Sequence, residues 1–148
     1  MKRRAIIFGI LTALILCLIW GHSMMPGTES QRESGRILRW LKPLLDPNGR
    51  IDDDVFHYFL RKTAHFTEYT ALGFCMCGFL KNLPWKRARM RLPLMVLLCV
   101  TAAAVDEGIQ RFSDGRSAQV RDALLDSAGA VVGIAICLLL YQILRKKE

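Results

Sequence analysis

His65 and Glu68 stand three residues apart, and Lys62 and Tyr69 join them by three- and four-residue steps, so the four share one helical face. An imidazole and a carboxylate at this spacing can bind a metal or relay a proton. The same pair can equally be a hydrogen bond that ties helices together. Asp106 and Glu107 are adjacent, with Gln110 one turn beyond Asp106. Two close carboxylates do not ionise independently, which suits one as general acid and the other as general base. The alternative is polar adhesive between helices, although two adjacent acids are a costly adhesive in an apolar setting. Arg116 lies in a short Gly-containing loop and can grip phosphate or carboxylate through two parallel hydrogen bonds. It can also neutralise Asp122 or Glu107. Asp122 and Asp126 can serve a cation or Arg116, and Asp122 also suits the first turn of a helix.

The candidate catalytic residues are therefore His65, Glu68, Asp106 and Glu107. The candidate ligand-binding residues are Lys62, Tyr69, Gln110, Arg116, Asp122 and Asp126. There is no HExxH spacing, no Ser-His-Asp order and no phosphatase-type signature. Sequence alone assigns no metal and no cofactor.

The elements that must position these residues are apolar. Of 148 residues, 52% are hydrophobic, and they fall in long blocks instead of alternating with polar ones. That distribution points to a bilayer. The expected fold is all-α: four transmembrane helices near residues 5–22, 63–80, 92–112 and 123–143, forming a single domain over residues 1–148. The first block, residues 5–20, follows Lys2, Arg3 and Arg4 without a small-x-small cleavage site, and reads as an uncleaved helix rather than a signal peptide. It is slightly short for the hydrocarbon core, so flanking residues must extend it. In residues 21–61, Ser30 and Glu33 fit a capping box. Ile37, Leu38, Leu41, Leu44 and Leu45 then line one face of a short amphipathic helix on the membrane surface, ended or kinked at Pro43. Asp52, Asp53 and Asp54 favour a helix start, so one helix can run over residues 53–80.

The net charge of +8 does not indicate nucleic acid, because no basic face interleaved with aromatics and no nucleic-acid module is present. Basic residues bunch at both chain ends and in residues 81–91, where Lys81, Lys86, Arg87, Arg89 and Arg91 crowd together. The rest of the chain carries slightly more acids than bases. The positive-inside rule therefore puts both termini and that loop in the cytoplasm. From those basic ends, ~1.5 Å per residue sets His65, Glu68, Asp106 and Asp126 about 18–22 Å up, at one level in the outer third of the membrane. Gly129 and Gly133 form GxxxG, which lets a neighbouring helix approach and draws Asp126 inward. All five cysteines lie in apolar blocks and read as packing or lipid-facing residues, not disulfides. Trp20, Trp40 and Trp85 suit interfacial anchoring.

Arg61-Lys62-Thr63-Ala64-His65-Phe66-Thr67-Glu68-Tyr69, followed by Leu72 and Gly73, resembles the first signature of the VanZ-like membrane protein family. Asp106, Glu107, Gln110, Phe112, Gly115, Arg116, Asp122, Asp126, Gly129 and Gly133 resemble its second. Ser34-Gly35-Arg36 resembles its first outer loop. The chain departs from the family pattern at Asp114, where Pro is usual, at Ile109, where many members have His, and at Asp126, often Asn. The resemblance implies a bacterial, multi-pass cell-membrane protein. The family takes its name from an accessory gene of glycopeptide-resistance clusters linked to teicoplanin. It implies no particular reaction.

Two functions are expected from these readings. One is an outward polar cleft that binds a lipid headgroup, a lipid-linked wall intermediate or a glycopeptide. The other is a hydrolase or transferase acting on an envelope lipid through the same carboxylates and histidine. A transporter-like or purely structural bundle is less favoured, since no repeat or broken helix is visible. Membrane lipids are the expected partners; nucleic acid is not, and the oligomeric state is left open.

Overall fold

The computed structural model describes residues 2–84, 88–116 and 119–146. The anchoring expected of Trp85, and the basic or loop positions Lys86, Arg87, Ser117 and Lys147, lie outside them. The described residues form five α-helices and one short 3-10 turn, Ala88–Met90, with no strand. The first apolar block is lengthened at both ends into α1 (Lys2–Met24), whose 23 residues reach about 35 Å at ~1.5 Å per residue.

Helix α2 (Gly27–Leu45) is amphipathic, as its spacing predicts, but it begins before Ser30. Pro26 precedes its first residue, and the Gly27 N–H donates to the Asp114 carbonyl at 2.8 Å. A tertiary contact thus takes the place of the expected capping box, and Ser30 and Glu33 lie inside the helix. Pro43 sits in the last turn, where the helix stops two residues later. Asp46 closes the following turn by accepting from the Arg50 and Ile51 N–H groups at 3.0 and 2.7 Å. Those backbone donors, led by Ile51, hold its carboxyl below the usual carboxylate range.

The three consecutive acids start α3 (Asp53–Asn82) as expected: the Asp52 side chain caps it by accepting from the Asp54 N–H at 2.9 Å. Helices α4 (Arg91–Arg111) and α5 (Val120–Arg145) complete the fold. Among the described residues, three helices are long and apolar enough to cross a membrane: α1, α4 and α5. Helix α3 has the length, 30 residues, but Asp53, Asp54, Arg61, Lys62 and Glu68 make its first half polar. It packs against α1, α2, α4 and α5, with α5 its main partner. That central position half-buries Arg61, Lys62 and Glu68, while Asp53 and Asp54 stay exposed at its start.

The contacts fix the helix directions. Phe8 packs on Gly78 and Phe79 on Gly9, so α1 and α3 are antiparallel. The Tyr69 hydroxyl donates to the Ala102 carbonyl at 3.3 Å, and Arg91 to the Lys81 and Leu83 carbonyls, so α4 also opposes α3. Lys62 pairs with Asp122 near one end of the α3–α5 contact, and Asn82 bonds Tyr141 at the other, so these two run parallel. The basic starts of α1 and α4 and the ends of α3 and α5 consequently gather at one end of the bundle. The polar candidates gather toward the other. The core between includes Ile19, Tyr69, Leu72, Met95 and Ile134. All five cysteines are free, and all but Cys17 are buried as packing groups.

Candidate functional site

Close approach of α3 and α5 builds the site. Gly129 faces the Phe66 carbonyl, Gly133 the Thr70 carbonyl, and Gly73 of α3 the Ala130 carbonyl. Backbone meets backbone with no room for side chains, which is what small residues at these spacings allow. One turn before Gly129, Asp126 is thereby only 2% exposed. Two turns before it, Asp122 meets Lys62 in an ion pair whose side chains are each 16% exposed.

Between α3, α4 and α5 lies a cavity of about 150 Å3. Seven of the sequence-derived candidates line it: Lys62, His65, Glu107, Gln110, Arg116, Asp122 and Asp126. Asp106 is fully buried beside it and accepts from the Gln110 side-chain amide at 2.9 Å. Glu107 accepts from the Gln119 N–H at 2.8 Å.

The other two candidates face elsewhere. Tyr69 is completely buried and holds α4 through its bond to Ala102. Glu68 reaches His22 of α1, at 3.1 Å from Nδ1, while His65 Nδ1 is 4.0 Å from its other oxygen. The latter distance is too long for a hydrogen bond. Neither Asp122 nor Glu107 forms an ion pair with Arg116 among the described residues; Lys62 takes Asp122 instead.

Arg116 is held by its loop. Gly115 has φ +72, a left-handed conformation that glycine adopts freely. The Ser113 hydroxyl donates to the Ser23 carbonyl at 2.7 Å, and the Gly27–Asp114 bond clamps the same loop to the start of α2. Partial burial, and then the nearby charge of Arg61, hold the Arg116 guanidinium below its usual pKa. It stays charged all the same, as arginine does in proteins.

Two contributors carry no signal that would have singled them out, and a third, Arg61, opens the α3 motif without being a candidate itself. His22 and Ser23 come from the end of α1, and Ser23 lies 3.5 Å from the Gln110 amide across 87 residues of sequence. Arg61 stands beside Lys62 at the head of the α3 motif and lines the cavity with it. A second cavity of about 270 Å3 adjoins the first across Arg61, His65 and Arg116. Met25, Ile37, Leu60 and Ala64 make much of its wall apolar.

An all-α protein with membrane-length helices and a polar site buried among three of them is the class these features define. The VanZ/LLP1 family pattern matches residues 8–141, nearly the whole chain, and the chain belongs to that family. It is a VanZ-like membrane protein of the cell envelope. No curated protein and no solved structure matches it.

Proposed function

We propose that the cleft binds the phosphate-bearing headgroup of an envelope lipid or of a lipid-linked wall intermediate. The observation that carries this reading is a pair of unspent guanidinium groups. Arg61 and Arg116 line the same cavity, and neither forms an ion pair among the described residues, whereas Lys62 is already committed to Asp122. The Arg116 Nε is also buried without a partner. Two arginines that repel each other beside a cavity are relieved by a shared anion, and guanidinium grips phosphate through paired hydrogen bonds. The adjoining apolar-walled cavity favours an amphiphile over free phosphate.

In this reading α3 is a fourth membrane span, its polar half sheltered by its neighbours. The cleft faces outward with both termini cytoplasmic, because the basic residues crowd the opposite end of the bundle. Helix α2 lies along the membrane surface. A glycopeptide is far larger than a cavity of about 150 Å3 and would touch only the rim. Any effect on teicoplanin-type resistance then follows from the lipid-linked precursor that the cleft holds. The buried carboxylates beside the same cavity support a second reading, a hydrolase or transferase acting on that headgroup with His65, Glu68, Asp106 or Glu107 as acid or base.

The test is mass spectrometry of the lipids that co-purify with the wild-type chain and with the R61Q/R116Q double variant. An anionic phospholipid or wall intermediate, enriched over its share of the membrane and lost in the double variant, is expected. Retained lipids that mirror the bulk membrane in both proteins would refute the binding reading. A covalently changed species that appears only when the wild-type protein is expressed would favour the enzyme.

A further inference from the structure

His65, Asp106 and Asp126 come from three different helices, and one ligand-capable atom of each lies within 4.8 Å of the other two. Their hydrogen bonding is incomplete. Asp106 is 0% exposed; one of its oxygens accepts from Gln110, but Oδ1 is buried with no partner. His65 Nδ1 is likewise buried without a hydrogen bond. Asp126, 2% exposed, receives neither a hydrogen bond nor an ion pair among the described residues. Neither carboxylate forms an ion pair among the described residues: Lys62 is held by Asp122, and Arg116 acts on Asp106 only at longer range. A buried carboxylate with an oxygen left unpartnered is unfavourable.

We infer that His65, Asp106 and Asp126 bind one divalent transition-metal ion, of the Zn2+ or Mn2+ class, at the floor of the cleft. A dication supplies the missing charge and fills the unpartnered positions together. Bonds of about 2.0–2.2 Å to a common ion set ligand atoms about 3–3.5 Å apart, so small side-chain rotations close the observed spacing. One imidazole nitrogen with two carboxylates suits these ions better than Ca2+, which takes ~6–8 oxygen ligands. Gln110, bonded to Asp106 and close to Ser23, orients the carboxylate from behind. Three protein ligands leave coordination positions open toward the cavity that His65 and Asp126 line. The site does not depend on what occupies the arginine mouth.

The untagged full-length chain in nanodiscs, stripped by chelator, would be titrated with Mn2+ alone and followed by electron paramagnetic resonance. One saturable site per chain is expected, displaced by Zn2+ and showing coupling to an imidazole nitrogen. The H65Q variant should lose the nitrogen coupling, and D106N or D126N should weaken binding at least tenfold. The nitrogen coupling is read on the wild-type chain, so it decides the matter even where a variant fails to fold. No saturable binding up to ~1 mM Mn2+ would overturn the site. So would a bound ion without nitrogen coupling, or affinity that survives both H65Q and D106N in folded protein.

Discussion

Replacing Gly133 by alanine should destabilise the protein, whereas the same replacement at Gly108 should not. A methyl group on Gly133 meets the Thr70 carbonyl and lies 2.8 Å from the Phe74 nitrogen. At Gly129, one turn earlier, it lies 2.6 Å from the Phe66 carbonyl, where ordinary contact begins at 3.4 Å. The shortfall at Gly129 is 0.8 Å by subtraction, and the obstructing atoms on both helices are backbone. No side chain can yield, so α3 and α5 must move apart. Overpacking of this kind typically costs ~1–3 kcal/mol, partly offset by the ~1 kcal/mol that alanine gains over glycine within a helix. Because the obstruction is backbone on both sides, the upper end of that range applies, and a net loss of about 2 kcal/mol lowers the folded-to-unfolded ratio roughly 30-fold. A methyl group on Gly108 would meet nothing within 4 Å, so alanine there should stabilise by about 0.5–1 kcal/mol. Unfolding of the purified chains in mixed micelles, followed by near-ultraviolet circular dichroism, compares the two. The reasoning fails if G133A is as stable as wild type, or if G108A loses as much as G133A. Since the same separation carries Asp126 away from His65, G133A should also weaken Mn2+ binding.

Two further outcomes bear on the site and on the membrane. A double-mutant cycle on K62M and D122N should give a coupling of about 1–3 kcal/mol, because both side chains are only 16% exposed; additive single effects would show that the pair contributes nothing. Trp40 is 84% exposed beside exposed Ile37 and Leu44, so in a W20F/W85F background its emission should be quenched by lipids brominated near the headgroup. Emission typical of water, unaffected by those lipids, would show that α2 does not rest on the membrane.

Much of the fold is legible because it is written in local chemistry. The Asp52 cap, the apolar blocks that become α1, α4 and α5, and the α2 stripe are short-range patterns. The common level of His65, Asp106 and Asp126 is legible for a similar reason: every residue of a helix advances the same distance, so counting from a basic end measures height. Rotation about the helix axis is not measured that way. Lys62 rather than Arg116 meets Asp122 because Gly129 and Gly133 press α5 against α3. Arg116 meanwhile is fixed by a loop bonded to Gly27 and Ser23. Those partners lie far away in sequence and leave no periodic trace. The same reason hides His22, which takes Glu68 from His65, and the Gly27–Asp114 bond that starts α2 ahead of its expected cap.

The charges around the cleft divide into three groups, and the division is what gives the site its chemistry. Lys62 and Asp122 satisfy each other, so their charges cancel locally and hold α3 to α5. Subtracting them, and Glu107 with its bond from the Gln119 N–H, leaves two arginines lining the cavity and two buried carboxylates around His65. The two remainders form no contact ion pair, since Arg116 meets none of Asp106, Asp126 and Glu107 within ion-pair distance among the described residues and acts on Asp106 and Glu107 only at longer range. A bundle that needed its polar groups only as adhesive would pair them, because each unpaired charge in an apolar setting costs about 2.5–3.5 kcal/mol on insertion scales. Holding cations and carboxylates apart at one cavity keeps both available to something from outside the chain. A phosphate at the arginines and a divalent ion at the carboxylates would answer both demands side by side.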